Sequence, residues 1–319
     1  MKASLTDGGV PGSGLARWLY ALKPASWPKL FVPALFGQLI GAVPSNGLDE
    51  RAVGWGVGFT VLGLGFIVLL NDWGDREVDA IKRKMFPDGC SPKTIPDGIL
   101  DARAVGAVGL LFGGATLLVA AGAEVALRRP LAFELGLASM LVFVAYTLPP
   151  LHLNYRGGGE LLEMFGVGMA LPLYNSYLQS GALASSVWLW VAGFSLLSLG
   201  SGVASGLSDE QSDRVGGKRT VASVFGNAAA RKLSEACVLL GAAVWLGASV
   251  AKPQWLPLWA VAPAVAILLW NFVGMRKVSN KAVTNAFREQ SEYKRFLHRA
   301  TWHSTMVAAL LLWIRLGWT

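Results

Sequence analysis

The run AVGWGVGFTVLGLGFIVLL, residues 52–70, passes without a break into NDWGDREVDAIKRK, residues 71–84. At 1.5 Å of rise per residue the first part makes a helix of roughly 30 Å, the thickness of a bilayer's hydrocarbon core. The second part sets Asn71, Asp72, Asp75 and Asp79 at the end of that helix. Carboxylates beside hydrocarbon are costly, and an acidic group kept there is a functional residue by default. Asn71, Asp75 and Asp79 recur every four residues and Asp72 sits three before Asp75, so a continuing helix projects all four from one side.

The rest of the chain has the same character. Of its 319 residues 53% are hydrophobic and only 15% charged, and the mean hydropathy is +0.47, which excludes an ordinary soluble globule. Apolar windows recur at 27–43, 52–70, 104–123, 131–148, 161–178, 187–207, 236–250, 255–273 and 305–316. The expected fold is therefore all-α and integral to the membrane, with about nine transmembrane helices. Residues 1–14 are expected to be a disordered tail and 15–319 a single transmembrane domain. The N-terminal segment is too polar, and its apolar run starts too late, for a cleaved signal peptide. Gly8, Gly9, Gly12 and Gly14 follow no strand, so they make no nucleotide loop.

With nine spans, 23 of the 28 lysines and arginines fall on the side of the N-terminus, and Arg51, Arg128, Arg129, Lys252 and Arg315 fall on the other. By the positive-inside rule the N-terminus is expected to be cytoplasmic and the C-terminus outside, in an inner or plasma membrane. The net charge of +8 then reports topology and calls for no nucleic acid. The basic segment 276–303 suits an amphipathic helix lying on anionic headgroups. Cys90 and Cys237 fall in a loop and inside a span, so free thiols are expected. His152, His298 and His303 lack metal-ligand spacing.

A second acidic group, Asp209 and Asp213 in GLSDEQSDRVGGKRT, is again four residues apart and again at the end of an apolar window. Both groups lie on the expected cytoplasmic side. Like charges gathered this way repel, and a cation should lie between them. Mg²⁺ suits hard carboxylate oxygens and binds through one or two of them together with substrate phosphates. Arg76, Arg214, Lys218 and Arg219 are placed to meet phosphate oxygens, arginine by forked hydrogen bonds and lysine as a point charge. A lone aspartate of this kind reads equally well as a solvated loop residue; two groups matched in side and spacing do not.

These residues resemble the UbiA superfamily of intramembrane prenyltransferases. NDWGDREVD is similar to its N-D-x-x-D-x-x-x-D motif at every fixed position, and DEQSD to its second D-x-x-x-D motif, followed by GGKRT and a nearby FG. Lys23-Pro24 before the first window and YTLPPLHLNYRGGGE, residues 146–160, extend the likeness over nearly the whole chain. The resemblance implies a ring of helices around a central cavity, capped by cytoplasmic loops. It implies transfer of a prenyl group from its diphosphate, with Mg²⁺ and diphosphate held by Asn71, Asp72, Asp75, Asp79, Asp209 and Asp213. Lys218 would assist the phosphates and Lys23 would stand near the cavity mouth. The chain departs from the family at CSPKTIPDG, where Lys93 replaces a usual arginine. It departs again at Asn154, where a lysine is usual, with Arg156 two residues on; the acceptor is often tied to that region.

The chemistry accords with the resemblance. Removing diphosphate from an allylic carbon leaves a cation and a highly charged leaving group, which Mg²⁺ and basic side chains stabilise. An apolar cavity keeps water from the cation and takes the isoprenoid tail. Of Tyr146, Tyr155, Tyr174 and Tyr177, Tyr146 is the first candidate to face the cationic carbon with its ring, interfacial anchoring being the alternative. The expected partners are a prenyl diphosphate, a hydrophobic or aromatic acceptor of the quinone-precursor type, and the bilayer. NDW-DREVDAI is also similar to the chlorophyll synthase branch, whose acceptor is a chlorophyllide. A cation-coupled transporter is the alternative of another class, although no paired interrupted helices or repeated halves support it.

Overall fold

A computed structural model of the chain describes residues 12–44 and 47–316; the tail expected over 1–14 lies, up to residue 11, outside the described residues. The helices are α1 (Gly14–Ala21), α2 (Pro28–Ala42), α3 (Glu50–Gly74), α4 (Arg76–Met85), α5 (Ala102–Leu127), α6 (Ala132–Thr147) and α7 (Leu153–Arg156). There follow α8 (Gly159–Glu163), a π-helical stretch (Met164–Ala170) and α9 (Leu171–Ser180), which together form one interrupted helix. The remainder are α10 (Ser185–Ser205), α11 (Glu210–Val215), α12 (Val221–Phe225), α13 (Asn227–Ala251), α14 (Leu258–Ser279) and α15 (Phe287–Leu316). Among the described residues there is no strand, and each expected apolar window falls on one helical stretch. Among the described residues five helices are long and apolar enough to cross a membrane by length and composition.

Glycine decides how closely these helices approach, because lipid gives no hydrophobic drive for helix to meet helix and small residues supply contact instead. On α5, Gly106, Gly109 and Gly113 lie under Trp73, Leu70 and Phe66 of α3, and Gly65 of α3 lies under Phe112. On α2, Gly37 and Gly41 meet the backbone of α9 directly: a Cβ at Gly37 would stand 2.2 Å from the carbonyl oxygen of Pro172. Pro172 has no N–H for the carbonyl of Gly168 four residues back, and Ser195 Oγ, whose one proton is shared with Val191 O at 2.8 Å, stands 3.0 Å from that carbonyl. The π-helical stretch lies where the ladder is broken in this way.

The elements close into a ring in the order α2, α3, α5, α6, the α8–α9 helix, α10, α13, α14 and α15, with α15 returning to α2. The interior is filled unevenly. Between α2, α10 and α13 an aromatic cluster of Phe36, Phe194, Trp190 and Trp245, with ring centroids 5.6–6.5 Å from Phe36, occupies the core. Between α2, α3, α6 and the π stretch there is instead a cavity of about 300 Å³ with mostly apolar walls. At one end of the ring buried amides tie the helices together: Gln38 Nε2 donates to Asn175 Oδ1 at 2.8 Å, and Gln179 Nε2 to Gln38 Oε1 at 2.6 Å. Arg51 and Arg129 lie at this end too, donating to the terminal carbonyls of Ala126, Leu178 and Gln179, where a helix C-terminus favours positive charge. The acidic groups stand at the other end. Outward faces carry large apolar side chains such as Leu118, Val125 and Trp270.

Candidate active site

The helix of the first acidic motif does not run straight. It turns at Asp75, where α3 ends and α4 begins, although Asp75 N–H still donates to Asn71 O and Asp79 N–H to Asp75 O, each at 2.8 Å. The bend keeps the four-residue rhythm of the motif. It also lets Asp75 become a hub, with Lys218 Nζ 2.7 Å from Oδ2, Asn71 Nδ2 donating to the same oxygen at 3.2 Å, and Asn154 Nδ2 donating to Oδ1 at 3.3 Å.

Every aspartate of the motif has its own cation. Asp72, 4% exposed, pairs with Lys23 and accepts a hydrogen bond of 2.5 Å from Thr94 Oγ1. Asp79 pairs with Lys93 at 2.5 Å. The loop between α4 and α5 presents these partners because it is tied to its own stem. Arg83 binds Asp97 at 2.9 Å, Asp97 Oδ2 accepts from the backbone N–H of Lys93 at 2.6 Å, and Tyr20 O–H donates to Pro92 O at 2.7 Å. Lys23 is delivered by a left-handed backbone, φ 49°, in the turn between α1 and α2.

The second motif arrives from the end of α10. Asp209 stands just before α11 and binds Lys82, which projects from α4, so the two motifs are joined directly. Asp213, 2% exposed, accepts from Thr220 Oγ1 at 3.3 Å. Gly217 takes a left-handed φ of 73°, which reverses the chain after α11 and brings Lys218 back over Asp75. Thr220 then opens α12 with a reciprocal cap through Ser223, and the backbone N–H of Val221 donates to Glu160 Oε1 at 2.7 Å.

The electrostatics confirm that both motifs share one field. Burial opposes the charge of Lys93, but Asp79, Asp209 and Asp72 together hold its ammonium above its ordinary pKa. Burial opposes Lys218 likewise, and Asp75 and Asp213 hold it up. Asp213 is pushed up to about 7 by burial and then by Asp209 and Asp75, against the pull of Lys218. Asp209 shows the opposite balance: burial raises it, but Lys82 prevails and leaves it below the usual carboxylate range. Its side chain keeps 36% of its surface accessible even so. Tyr155 is raised by burial and then by Asp75, and Lys218 Nζ stands 5.4 Å from the centre of its ring.

The expected arginines are placed differently from one another. Arg76 lies over Trp73 at 4.8 Å and donates to Trp73 O. Arg214 binds Glu210 at 3.3 Å. Arg156 and Arg219 are exposed beside the site, the backbone N–H of Arg219 donating to Tyr155 O at 3.2 Å. Tyr146 lines the cavity with Lys23 and Asn71 and stacks on Phe143 at 6.0 Å. Tyr174 packs on Phe59 at 4.2 Å, and Tyr177 O–H accepts from the backbone N–H of Leu131 at 3.2 Å, at the far end. Sequence reasoning missed Lys82 and Thr94 as partners of the motifs. Lys82 carried one readable signal, its position three residues after Asp79 on the same helix; Thr94 carried none.

The donor set fits a divalent ion of the Mg²⁺ type. Its ligands are carboxylate and amide oxygens, and the negative field of Asp209 and Asp75, which adds to burial in lifting Asp213, is one such an ion relieves. Asn154, 1% exposed, also keeps an Oδ1 with no hydrogen-bond partner. Among the described residues no three His, Cys, Asp or Glu side chains close a metal cage by themselves, so phosphate oxygens and water would complete the shell.

The sequence model of the UbiA prenyltransferase family matches residues 30–314. The chloroplastic chlorophyll synthase of Avena sativa is 26% identical over 223 residues, 65% of this chain and 54% of that protein; the chain thus spans about half the length of the curated relatives it matches. In fold the chain is similar to a UbiA homologue from Archaeoglobus fulgidus bound to DMAPP and Mg²⁺, at 14% identity, a TM-score of 0.64, and 89% and 99% of the two chains. It is similar also to digeranylgeranylglyceryl phosphate synthase, at 13% identity, a TM-score of 0.61, and 93% and 99% of the two chains.

Proposed function

The chain belongs to the UbiA prenyltransferase family, and we propose that it transfers a prenyl group from a prenyl diphosphate to an aromatic quinone precursor in an Mg²⁺-dependent reaction. The observation that carries this reading is the convergence of Asp72, Asp75, Asp79, Asp209 and Asp213, four of them paired with lysines, beside a mostly apolar cavity that Lys23 and Asn71 also line. Asn71 and the five aspartates would hold the metal and, through it, the diphosphate, and the ion would neutralise the charge that develops on the leaving group.

The protein's own groups do the rest. Lys218, Lys93, Lys23 and Lys82 each rest on a carboxylate and can turn to phosphate oxygens without leaving the shared field. Arg76, Arg156, Arg214 and Arg219 stand around the rim as further phosphate or acceptor contacts. The apolar walls exclude water from the allylic cation, with the ring of Tyr146 facing it. On this reading the nine helical stretches all cross the membrane, residues 15–319 form one domain, and the acidic end and the N-terminus are cytoplasmic. The C-terminus is then outside.

Similarity to chlorophyll synthase favours a second reading, esterification of a chlorophyllide carboxylate. One experiment separates the two: purified protein is incubated with Mg²⁺, prenyl diphosphates of several lengths, and hydroxybenzoate, dihydroxynaphthoate and chlorophyllide, and the products are weighed by mass spectrometry. Prenylated aromatic product supports the first reading, and prenyl ester the second. Ion-driven solute uptake without pyrophosphate release, under any acceptor, would sink both.

A further inference from the structure

Lys29, in the first turn of α2, and Glu163, where α8 enters the π-helical stretch, face each other across the cavity, with Lys29 Nζ 2.8 Å from Glu163 Oε1. Neither belongs to an acidic motif. An ion pair on a mostly apolar cavity wall is expensive to bury and marks a function. The pair is also open to the cavity: Lys29 keeps 29% and Glu163 14% of its side-chain surface accessible. Gly202 of α10 lies against the back of the carboxylate, where a Cβ would stand 3.1 Å from Cδ, so the group is held against the wall. The same cavity holds Asn71, Lys23 and Tyr146, so whatever binds at Lys29 and Glu163 shares a chamber with the acidic end.

We propose that Lys29 and Glu163 form the subsite that binds the acceptor, and that they select one bearing a hydroxyl group over one offering only a carboxylate. This rests on the prenyl-transfer reading given above. A hydroxyl both donates and accepts: it gives its proton to the Glu163 carboxylate and takes a hydrogen bond from Lys29 Nζ. A carboxylate can accept from Lys29 but has no proton to give and meets the like charge of Glu163.

For a phenolic acceptor the step balances as follows. The O–H proton passes to Glu163 while the ring carbon forms the new C–C bond to the allylic carbon. The allylic C–O bond breaks with its electron pair on the departing diphosphate. The ring C–H proton then leaves to a diphosphate oxygen, and Glu163 returns its proton to the acceptor oxygen.

The test uses the full chain in detergent with dihydroxynaphthoate and its O-methyl ethers. E163Q and K29M should each raise the acceptor KM about tenfold while the prenyl diphosphate KM stays within about twofold. E163D and K29R should recover part of the loss, and the ethers should bind wild type about tenfold more weakly than the free naphthol. The neutral double variant K29M/E163Q leaves no lone buried charge, and a melting curve checks that each variant folds. Equilibrium binding of dihydroxynaphthoate, followed by tryptophan fluorescence, reads the subsite without turnover. An acceptor KM and affinity unmoved in both single variants, or a loss confined to the prenyl diphosphate, would overturn the assignment. Failure of the wild type to transfer any prenyl group overturns the parent reading alone, because acceptor binding still reports on the pair.

Discussion

Lys82 on α4 binds Asp209 at the start of α11, across 127 residues of sequence. The helix that carries the first acidic motif thus supplies the cation that neutralises the second, and neither motif is balanced without the other.

Lys82→Met should therefore destabilise the protein, apart from any effect on turnover. Removing one member of a buried pair costs about 3–5 kcal/mol; because Asp209 keeps 36% of its side-chain surface accessible, screening lowers the expectation to roughly 1–3 kcal/mol. Thermal melting in detergent without Mg²⁺ measures it. A melting temperature equal to wild type would show that the pair carries no stability.

Asp72→Asn, Asp75→Asn, Asp209→Asn and Asp213→Asn should each lower kcat by about 100-fold or more, the scale of losing one preorganised charge contact in a reacting site, while the protein still inserts and folds. Asp75→Asn should be the most severe, because Lys218, Asn71 and Asn154 all converge on that carboxylate. Lys218→Ala should raise the KM for prenyl diphosphate more than that for acceptor. Near-normal turnover in all four aspartate variants, measured as pyrophosphate release, removes the metal-diphosphate assignment.

The stability of the metal-free protein should depend on pH through Asp213. Its carboxyl titrates near 7 when folded and near about 3.9 when unfolded, so between those values the folded state binds the extra proton. Its contribution is full below the unfolded pKa and is lost as pH rises through 7. Asp209 works in the opposite sense, losing its contribution as pH falls through its depressed pKa. Asp213→Asn should flatten the fall in melting temperature between pH 5 and 7.5, taken as about the limits of that window; an unchanged slope contradicts the assignment.

Gly37→Val should prevent α2 from seating on α9, since a Cβ there would stand 2.2 Å from Pro172 O and backbone cannot move aside as a side chain can. The expected cost is at least about 3 kcal/mol, the upper end of ordinary overpacking. Gly54→Ala, with nothing within 4 Å, should be neutral or slightly stabilising through helix propensity. Size-exclusion profiles and melting curves of the two variants check the contrast, and equal behaviour would mean that the close approach is not needed.

Much of the architecture was legible in order of residues alone. An apolar window long enough to span hydrocarbon has to be helical, since no other open structure satisfies its backbone there, and each of the nine windows falls on a helical stretch. The rhythm of Asn71, Asp75 and Asp79 survives the bend at Asp75 because backbone hydrogen bonds bridge it. The free thiols of Cys90 and Cys237 were readable as well. The bend itself was not; it falls at Asp75, which Lys218 and Asn154 meet from distant parts of the chain.

Local sequence determined the helices and the acidic ends, because length, hydropathy and four-residue spacing act through the nearest turns of one helix. Tertiary structure alone decided which lysine meets which aspartate, that an aromatic cluster fills one side of the ring while a cavity opens on the other, and that Lys29 faces Glu163. Those relationships turn on where separate helices come to rest against one another. That is settled by glycine contacts and loop anchors spread over the whole chain, and no short window of residues records it.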